Sequence, residues 1–186
     1  MRFSDQLRTL CIKAGEKTET VVRQTAMDLQ TSLVRRSPVG DPTGWKANAE
    51  VTAARTAYAD AAVAYNDANP DKRRKGTSKA TLNKKFPLKA GVGYVGGRFR
   101  GNWQTGIDSM DNTNDSPIDP GGESTLNRTQ AALQGWKPGQ TIYLSNSMVY
   151  AARLETGWSK QAPLGMVALT VQNYSQAVAK AVAEVK

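Results

Sequence analysis

One run in the last third of the chain, residues 141–171, constrains the fold more than any other feature. It begins with a short strand pattern, in which Ile142 and Leu144 fall on one face, and a polar turn at 145–147 follows. A short helix pattern around Leu154 comes next, then a glycine–tryptophan break and a proline loop, and a second helix begins near residue 165. The run contains no pair of side chains that could act as nucleophile and base, so it indicates architecture and not catalysis.

Long helical patterns at both ends of the chain define the fold class. Residues 3–36 place apolar side chains at three- and four-residue steps until Ser37-Pro38 ends the helix, and residues 165–185 repeat that spacing. The sequence predicts a strand over 98–108, a helix over 124–136 and a strand over 140–147 between them. We therefore expect an α+β fold in which long N- and C-terminal helices flank a small antiparallel sheet.

An additional segment separates the first helix from the predicted sheet. Residues 46–68 are rich in alanine and predict a helix, with Tyr58 and Tyr65 on one narrow face. Residues 72–89 carry eight basic and no acidic side chains, show no periodicity, and predict a mobile basic loop. The sequence thus predicts a single domain over 1–186, with an inserted helical arm and basic loop over 41–92.

Composition excludes several classes of function. The chain of 186 residues contains no histidine and one cysteine, which removes the commonest general base and leaves zinc sites without ligands. No stretch approaches the roughly 18 apolar residues of a membrane span. The net charge is +9, of which the segment 72–89 supplies eight, so the basicity belongs to one segment. We expect no enzymatic activity, no cofactor and no bound metal.

Two further patterns have ordinary explanations. Residues 91–96 match G-x-G-x-x-G, but a basic loop precedes them and a strand follows, whereas a dinucleotide site needs a strand and then a helix N-terminus. The acidic residues of 111–123 lack the alternating oxygen ligands, the glycine and the glutamate of an EF-hand loop. The predictions are a hinge at the first segment and a solvated acidic loop at the second.

The basic segment predicts a binding surface for which two partners are open. Lysine and arginine neutralise phosphates, but Phe86 is the only ring in 72–89, so stacking on bases is not expected. The favoured hypothesis is docking on acidic surface of a neighbouring subunit, with the 108–123 loop of another copy as one candidate. The alternative is a nucleic-acid-binding accessory protein. The residues concerned are Lys72, Arg73, Arg74, Lys75, Lys79, Lys84, Lys85 and Lys89.

Several short motifs together carry a resemblance to a known family. Within 141–171 they are Ser145-Asn146, Val149-Tyr150-Ala151, Arg153-Leu154-Glu155, Gly157-Trp158-Ser159-Lys160, Gln161-Ala162-Pro163 and Gly165-Met166-Val167. The stretch from Arg36 to Gly40 and the glycine-rich stretch from Gly93 to Trp103 add to them. With these motifs the chain resembles the small tail-completion or neck proteins of long-tailed bacteriophages, over roughly residues 1–45 and 93–182. The long insertion between the first two motifs departs from the short linker of that family.

The resemblance implies a structural virion protein at the head–tail junction. Such head–tail joining, tail-terminator-like proteins form a ring, often of six copies, that completes the tail tube and receives the head connector or head-completion protein. The implied location is the neck of the virion after assembly in the host cytoplasm, and contact with packaged DNA in the lumen stays open. The charged residues of the run, Arg153, Glu155 and Lys160, are predicted to form a structural ion pair or an intersubunit contact. The expected subunit or partner interface comprises Trp158, Arg153, Glu155, Tyr58 and Tyr65.

Overall fold

The computed structural model describes residues 3–72 and 75–185. For residues 3–11 it describes the backbone but not the side chains. The longest described element is helix α1 (Phe3–Arg36). The chain divides into two compact units. The main unit contains the chain up to Val39 and from Gly96 onward, and the arm unit is Gly40–Val95. No helix in the described part of the chain combines the length and the apolar character needed to cross a membrane.

In the main unit, α1 is followed by short elements around a two-stranded sheet. These are α4 (Arg98–Gly101), β1 (Gln104–Ile107), α5 (Glu123–Gln134), β2 (Ile142–Ser145), α6 (Ala151–Glu155), α7 (Val167–Gln172) and α8 (Tyr174–Glu184). The strands are antiparallel, and Gln104 lies opposite Ser145 while Ile107 lies opposite Ile142. Helices α5 and α8 pack on α1, and α5 also packs on β1. The predicted α+β class, with a small antiparallel sheet and a long N-terminal helix, is confirmed.

The core of the main unit lies where α1 ends. Val34 is fully buried there among Leu33, Phe99, Trp103 and Met166. The rings of Phe99 and Trp103 meet edge to face with their centroids 6.0 Å apart. The last third of α1 therefore packs its apolar face as predicted, against Phe99 of α4 and against Trp103, which directly precedes β1.

The prediction of a strand over 98–108 is wrong for the first half of that range. Residues 98–101 form the short helix α4, and the strand begins only at Gln104. Gly97 makes this possible with a φ of +109°, and a side chain there would collide with the backbone of Pro120. The amide of Asn102 then closes the turn by donating to the carbonyl of Arg98 at 2.7 Å.

The helix predicted over 165–185 is interrupted. It consists of α7 and α8, which meet at Asn173. The N–H of Asn173 still donates to the carbonyl of Thr170, and its own carbonyl accepts from Gln176 and Ala177 in the next helix. Asparagine is a poor residue for a helix interior because its side chain competes for backbone hydrogen bonds, which accounts for a break here.

The arm unit is a helix with an ordered return. Helix α2 (Ala49–Ala68) follows two short 3-10 turns at Pro42–Gly44 and Lys46–Asn48, and helix α3 (Lys79–Lys85) lies in the basic segment. The amide of Asn48 joins the two ends of the unit: it donates to the carbonyls of Pro42 and Ala90 and accepts from the N–H groups of Lys89 and Ala90. The interpretation of 72–89 as a mobile loop is wrong for its described part, because the segment contains a helix and is fixed at its end.

Candidate functional site

The motif-bearing segments converge in the main unit through hydrogen bonds. The buried indole N–H of Trp103 donates to the hydroxyl of Ser37 at 2.7 Å. The guanidinium of Arg100 donates to the carbonyl of Ser37 at 2.8 Å and to that of Pro120 at 2.6 Å. The side chain of Gln161 forms two hydrogen bonds with the backbone of Val39, both at 2.9 Å. The segments around residues 37, 100 and 161 therefore form one structure.

Glu155 is the most heavily engaged acidic residue of the motif run. Its carboxylate accepts hydrogen bonds from the backbone N–H groups of Met166, Val167 and Ala168 at 2.9, 3.0 and 2.9 Å, at the start of α7. Burial raises the pKa of Glu155, but the three donors together outweigh burial and hold the pKa below its ordinary value. The residue caps a helix within its own subunit.

Two glycines allow the chain to fold back so that this cap forms. Gly157 has a φ of +85°, and a side chain there would meet the carbonyl of Pro163. Gly165 has a φ of +77°, and a side chain there would collide with Glu155. The chain thus reverses direction between α6 and α7 through Gly157 and Gly165, and Glu155 stabilises this reversal by capping α7.

The same region leaves large apolar side chains in solvent. Val149 is 96% exposed, Trp158 71% and Leu164 70%. In helices α7 and α8, Val171 is 65% exposed and Tyr174 52% exposed. Other apolar residues of the motif run, Leu154, Ala162 and Met166, are buried in the core. Large apolar side chains left in solvent are candidate contact sites.

An apolar groove, here called the β2 groove, is lined in part by β2. It consists of three adjoining depressions of about 340, 230 and 370 Å³, all of which Leu144 lines. Leu29 of α1 and Tyr174 of α8 border the second and third depressions. The sheet of the described chain has only two strands, so β2 has one edge that no strand pairs. The groove and this edge are open to a further element.

The predicted interface residues separate into three environments. Trp158 and Arg153 are exposed in the main unit, whereas Glu155 is partly buried and occupied as a helix cap. No ion pair joins Arg153 to Glu155 in the described chain, and the ion-pair interpretation is therefore wrong. Tyr58 and Tyr65 belong to the arm unit, where both are partly buried against their own return segment. The five residues predicted to form an interface are thus divided between the two units, and Glu155 is used within its own subunit.

The tyrosine face of α2 has an intramolecular partner. The ring of Tyr58 contacts that of Phe86 with centroids 5.6 Å apart, and Arg55 donates twice to the Phe86 carbonyl, at 2.9 and 2.6 Å. The ammonium of Lys85 lies 4.7 Å from the centre of the Tyr58 ring, and that of Lys75 lies 4.1 Å from the centre of the Tyr65 ring. The face that seemed from sequence to need another subunit is covered by residues 75–86.

The basic residues themselves remain on the surface. Lys72, Lys75, Lys79, Lys84, Lys85 and Lys89 are all exposed. Lys89 pairs with Glu50 at 2.5 Å, an exposed contact. Arg73 and Arg74 lie outside the described residues.

The acidic loop after β1 is tied into the main unit. Asp119 accepts from the backbone N–H groups of Gly122 and Thr125, both at 2.8 Å. Burial raises the pKa of Asp119, but these donors and the hydroxyl of Thr125 together hold the pKa below its ordinary value. Asp108 accepts from the side chain of Gln140 and from the N–H of Thr141. Within the described chain, no three acidic or thiol side chains gather as a metal site would require.

Sequence reasoning missed two residues of the exposed apolar surface, Val149 and Leu164. The available signal was an apolar residue inside a polar turn or a proline loop, where no element buries it. It also missed Arg100 and Asp119, whose partners lie far apart in sequence. Comparisons of the chain with protein-family models, curated proteins and solved structures find no match.

Proposed function

We propose that the protein is a structural subunit of the neck of a long-tailed bacteriophage. In this proposal several copies form a ring that completes the tail tube and offers a surface to the head connector or head-completion protein. The observation that carries it is the contrast within the motif run. Glu155 and Gln161 form hydrogen bonds within the subunit, while Val149, Trp158 and Leu164 are exposed to solvent.

The open sheet edge supports assembly as the purpose of this surface. A two-stranded sheet is marginal by itself, and an unpaired edge beside an apolar groove is a place where another chain can add. A ring of identical subunits uses two different faces of each copy, so the exposed residues and the β2 groove are suited to opposite sides of one contact. The proposal therefore needs no catalytic residue.

The isolated subunit is expected to be monomeric or weakly associated and to form the ring on the tail. Its exposed side chains are spread over loops and short helices, and specific stable contacts need about 800 Å² from each partner. Light scattering at micromolar concentration measures the free state. A tight, salt-resistant hexamer in that measurement contradicts this part of the proposal.

Negative-stain images of tail tubes mixed with the purified protein test the assembly role. We expect a ring at one end of each tube with the natural chain, and bare ends with the double variant Val149→Asp, Trp158→Asp. Both residues are largely solvated, so the subunit stays folded, which circular dichroism checks. The double variant Asn127→Asp, Gln130→Asp places the same two charges on exposed positions of α5 and is the control that retains the ring.

The outcomes distinguish this role from others. Tubes that stay bare with the natural chain overturn the neck assignment. Tubes capped equally well by the double variant show that assembly uses another surface, and overturn the argument from the exposed apolar residues.

A further inference from the structure

The basic segment of the arm unit is a fixed surface. At its start, the side chain of Asn66 forms two hydrogen bonds with the backbone of Lys75, at 3.0 and 2.7 Å. At its end, the buried guanidinium of Arg55 holds the carbonyl of Phe86. Helix α3 lies between these two points and is capped by the hydroxyl of Ser78, which accepts from the N–H of Thr81. The lysines of this stretch are therefore displayed on an ordered backbone.

Two of these lysines are also oriented by aromatic rings. Tyr58 and Tyr65 lie two helical turns apart on one face of α2, about 10 Å along the axis. Because Lys85 and Lys75 sit over those rings, their ammonium groups are held in a row along the helix while both residues stay exposed. A cation on an aromatic face keeps its charge available to an anion on its outer side.

The lysines of this segment that the structure describes are mostly without ion-pair partners. One carboxylate, that of Asp41, does respond to Lys79. Hydrogen bonds from Thr43, and after them the charges of Lys79 and Arg55, hold the pKa of this carboxylate below its ordinary value. Lys75, Lys79, Lys84 and Lys85 take part in none of the ion pairs of the described residues. No acidic residue occurs between positions 72 and 89. Four lysines within eleven residues thus have no ion pair in the described chain, and they favour a partner with closely spaced negative charges.

The acidic loop of another copy is poorly suited to be that partner. Of the five carboxylates in 108–123, those of Asp108, Asp111 and Asp119 already accept intramolecular hydrogen bonds. Asp115 and Glu123 are the two that do not do so in the described chain. All five carry a negative charge, but they are spread over 16 residues and three of them are held by contacts within their own subunit. The phosphates of duplex DNA carry one charge per roughly 1.7 Å of helix axis, which is dense enough.

We propose that the exposed lysines of this segment, here called the lysine row (Lys75, Lys79, Lys84 and Lys85), bind the phosphate backbone of double-stranded DNA without sequence preference. The rings beside the row are covered: Tyr58 and Tyr65 by lysines, and Phe86 by Tyr58. Stacking on unpaired bases is consequently not available to them, and the recognition is electrostatic. The inference rests on the arm unit alone and does not depend on the neck role.

Salt dependence measures the number of phosphate contacts. Each phosphate neutralised on duplex DNA contributes about 0.9 to the slope of log K against log salt, so four contacts give a slope of about −3.6. Raising salt from 50 to 200 mM then weakens binding by about 150-fold. Fluorescence anisotropy of a labelled 30-base-pair duplex of mixed sequence, titrated with the full chain, gives both quantities.

The test compares two variants with the same loss of charge. Lys75→Gln, Lys79→Gln, Lys84→Gln and Lys85→Gln together remove the lysine row, and we expect the slope to fall by about 3 to 4. The control removes four exposed lysines of the main unit, at positions 13, 17, 137 and 160, and keeps the slope within about one contact. The double variant Lys84→Gln, Lys85→Gln should lose about half the effect, and it guards against misfolding of the fourfold variant.

Four results would overturn the proposal. The first is a lysine-row variant that keeps the slope of the natural chain, and the second is a main-unit control that loses as much slope. The third is displacement of the duplex by poly-L-glutamate at 150 mM salt and at an equal or lower concentration of charge, which would make the partner an acidic protein surface. A second duplex of unrelated sequence should bind within a factor of about 3, and a larger difference would contradict phosphate recognition alone.

Discussion

Removing the carboxylate of Glu155 should destabilise the main unit by an amount that the geometry of the cap sets. In Glu155→Ala, the N–H groups of Met166, Val167 and Ala168 lose their acceptor. Val167 and Ala168 are exposed, so water can replace the lost hydrogen bonds there. Their loss should lower the free energy of unfolding by about 0.5–2 kcal/mol, as the loss of an N-cap usually does. Met166 is only 1% exposed, so water cannot reach its N–H. This unsatisfied buried donor should lower the free energy of unfolding further, by about 1–3 kcal/mol. We expect a total loss of about 2–4 kcal/mol.

Glu155→Gln separates the charge from the shape of the side chain. The amide oxygen can keep the bonds from Met166 and Val167, but the amide nitrogen cannot accept from Ala168. One hydrogen bond and the interaction of a negative charge with the helix N-terminus are lost, which together amount to about 1–2 kcal/mol. Urea unfolding followed by tryptophan fluorescence measures this, because the buried indoles of Trp103 and Trp136 report on the main unit.

The difference between the natural chain and Glu155→Gln should depend on pH with a defined sign. The folded state holds the pKa of Glu155 below its ordinary value of 4.5, so the carboxylate contributes its full stability above that pH. As the pH falls below 4.5 toward the folded pKa, the carboxylate takes up a proton and the difference shrinks. Glu16→Gln, at an exposed site on α1 without an ion pair in the described chain, is the control and should change stability by less than about 0.5 kcal/mol. A loss for Glu155→Gln that stays constant down to pH 3, or a loss no larger than the control's, would refute the reasoning.

Two pairs of substitutions test the packing. Gln30 is fully buried, and its amide oxygen and nitrogen have no hydrogen-bond partner in the described chain. Gln30→Leu should therefore raise the free energy of unfolding in urea by about 1–3 kcal/mol. Gln104→Leu loses hydrogen bonds to Ser116 and Thr113 and should lower it. Leu33→Ala should destabilise by about 2–4 kcal/mol because Leu33 lies in the core, while Val171→Ala, at a position 65% exposed, should change the thermal midpoint of the free subunit little; equal shifts for both would show that the helix faces are misplaced.

The sequence by itself determined the elements whose signals are local. The apolar spacing of residues 3–36 and the stop at Ser37-Pro38 predict α1 correctly, and the alternation of Ile142 and Leu144 predicts β2. Residues 124–136 were predicted as a helix and form α5 within two residues at each end. Periodicity and turn residues act over a few positions, so they can be read without knowing the rest of the fold.

Only the tertiary structure decided which motif residues face inward. Glu155 looked like an interface charge, yet it caps α7, because Gly157 and Gly165 turn the chain back by adopting positive φ. Tyr58 and Tyr65 looked unpartnered, yet Phe86 and Lys75 from their own return segment cover them. Such contacts depend on where distant segments meet, and a one-dimensional pattern of polar and apolar residues does not encode that meeting. For the same reason the exposure of Val149 and Trp158 emerged only when the surrounding chain was in place.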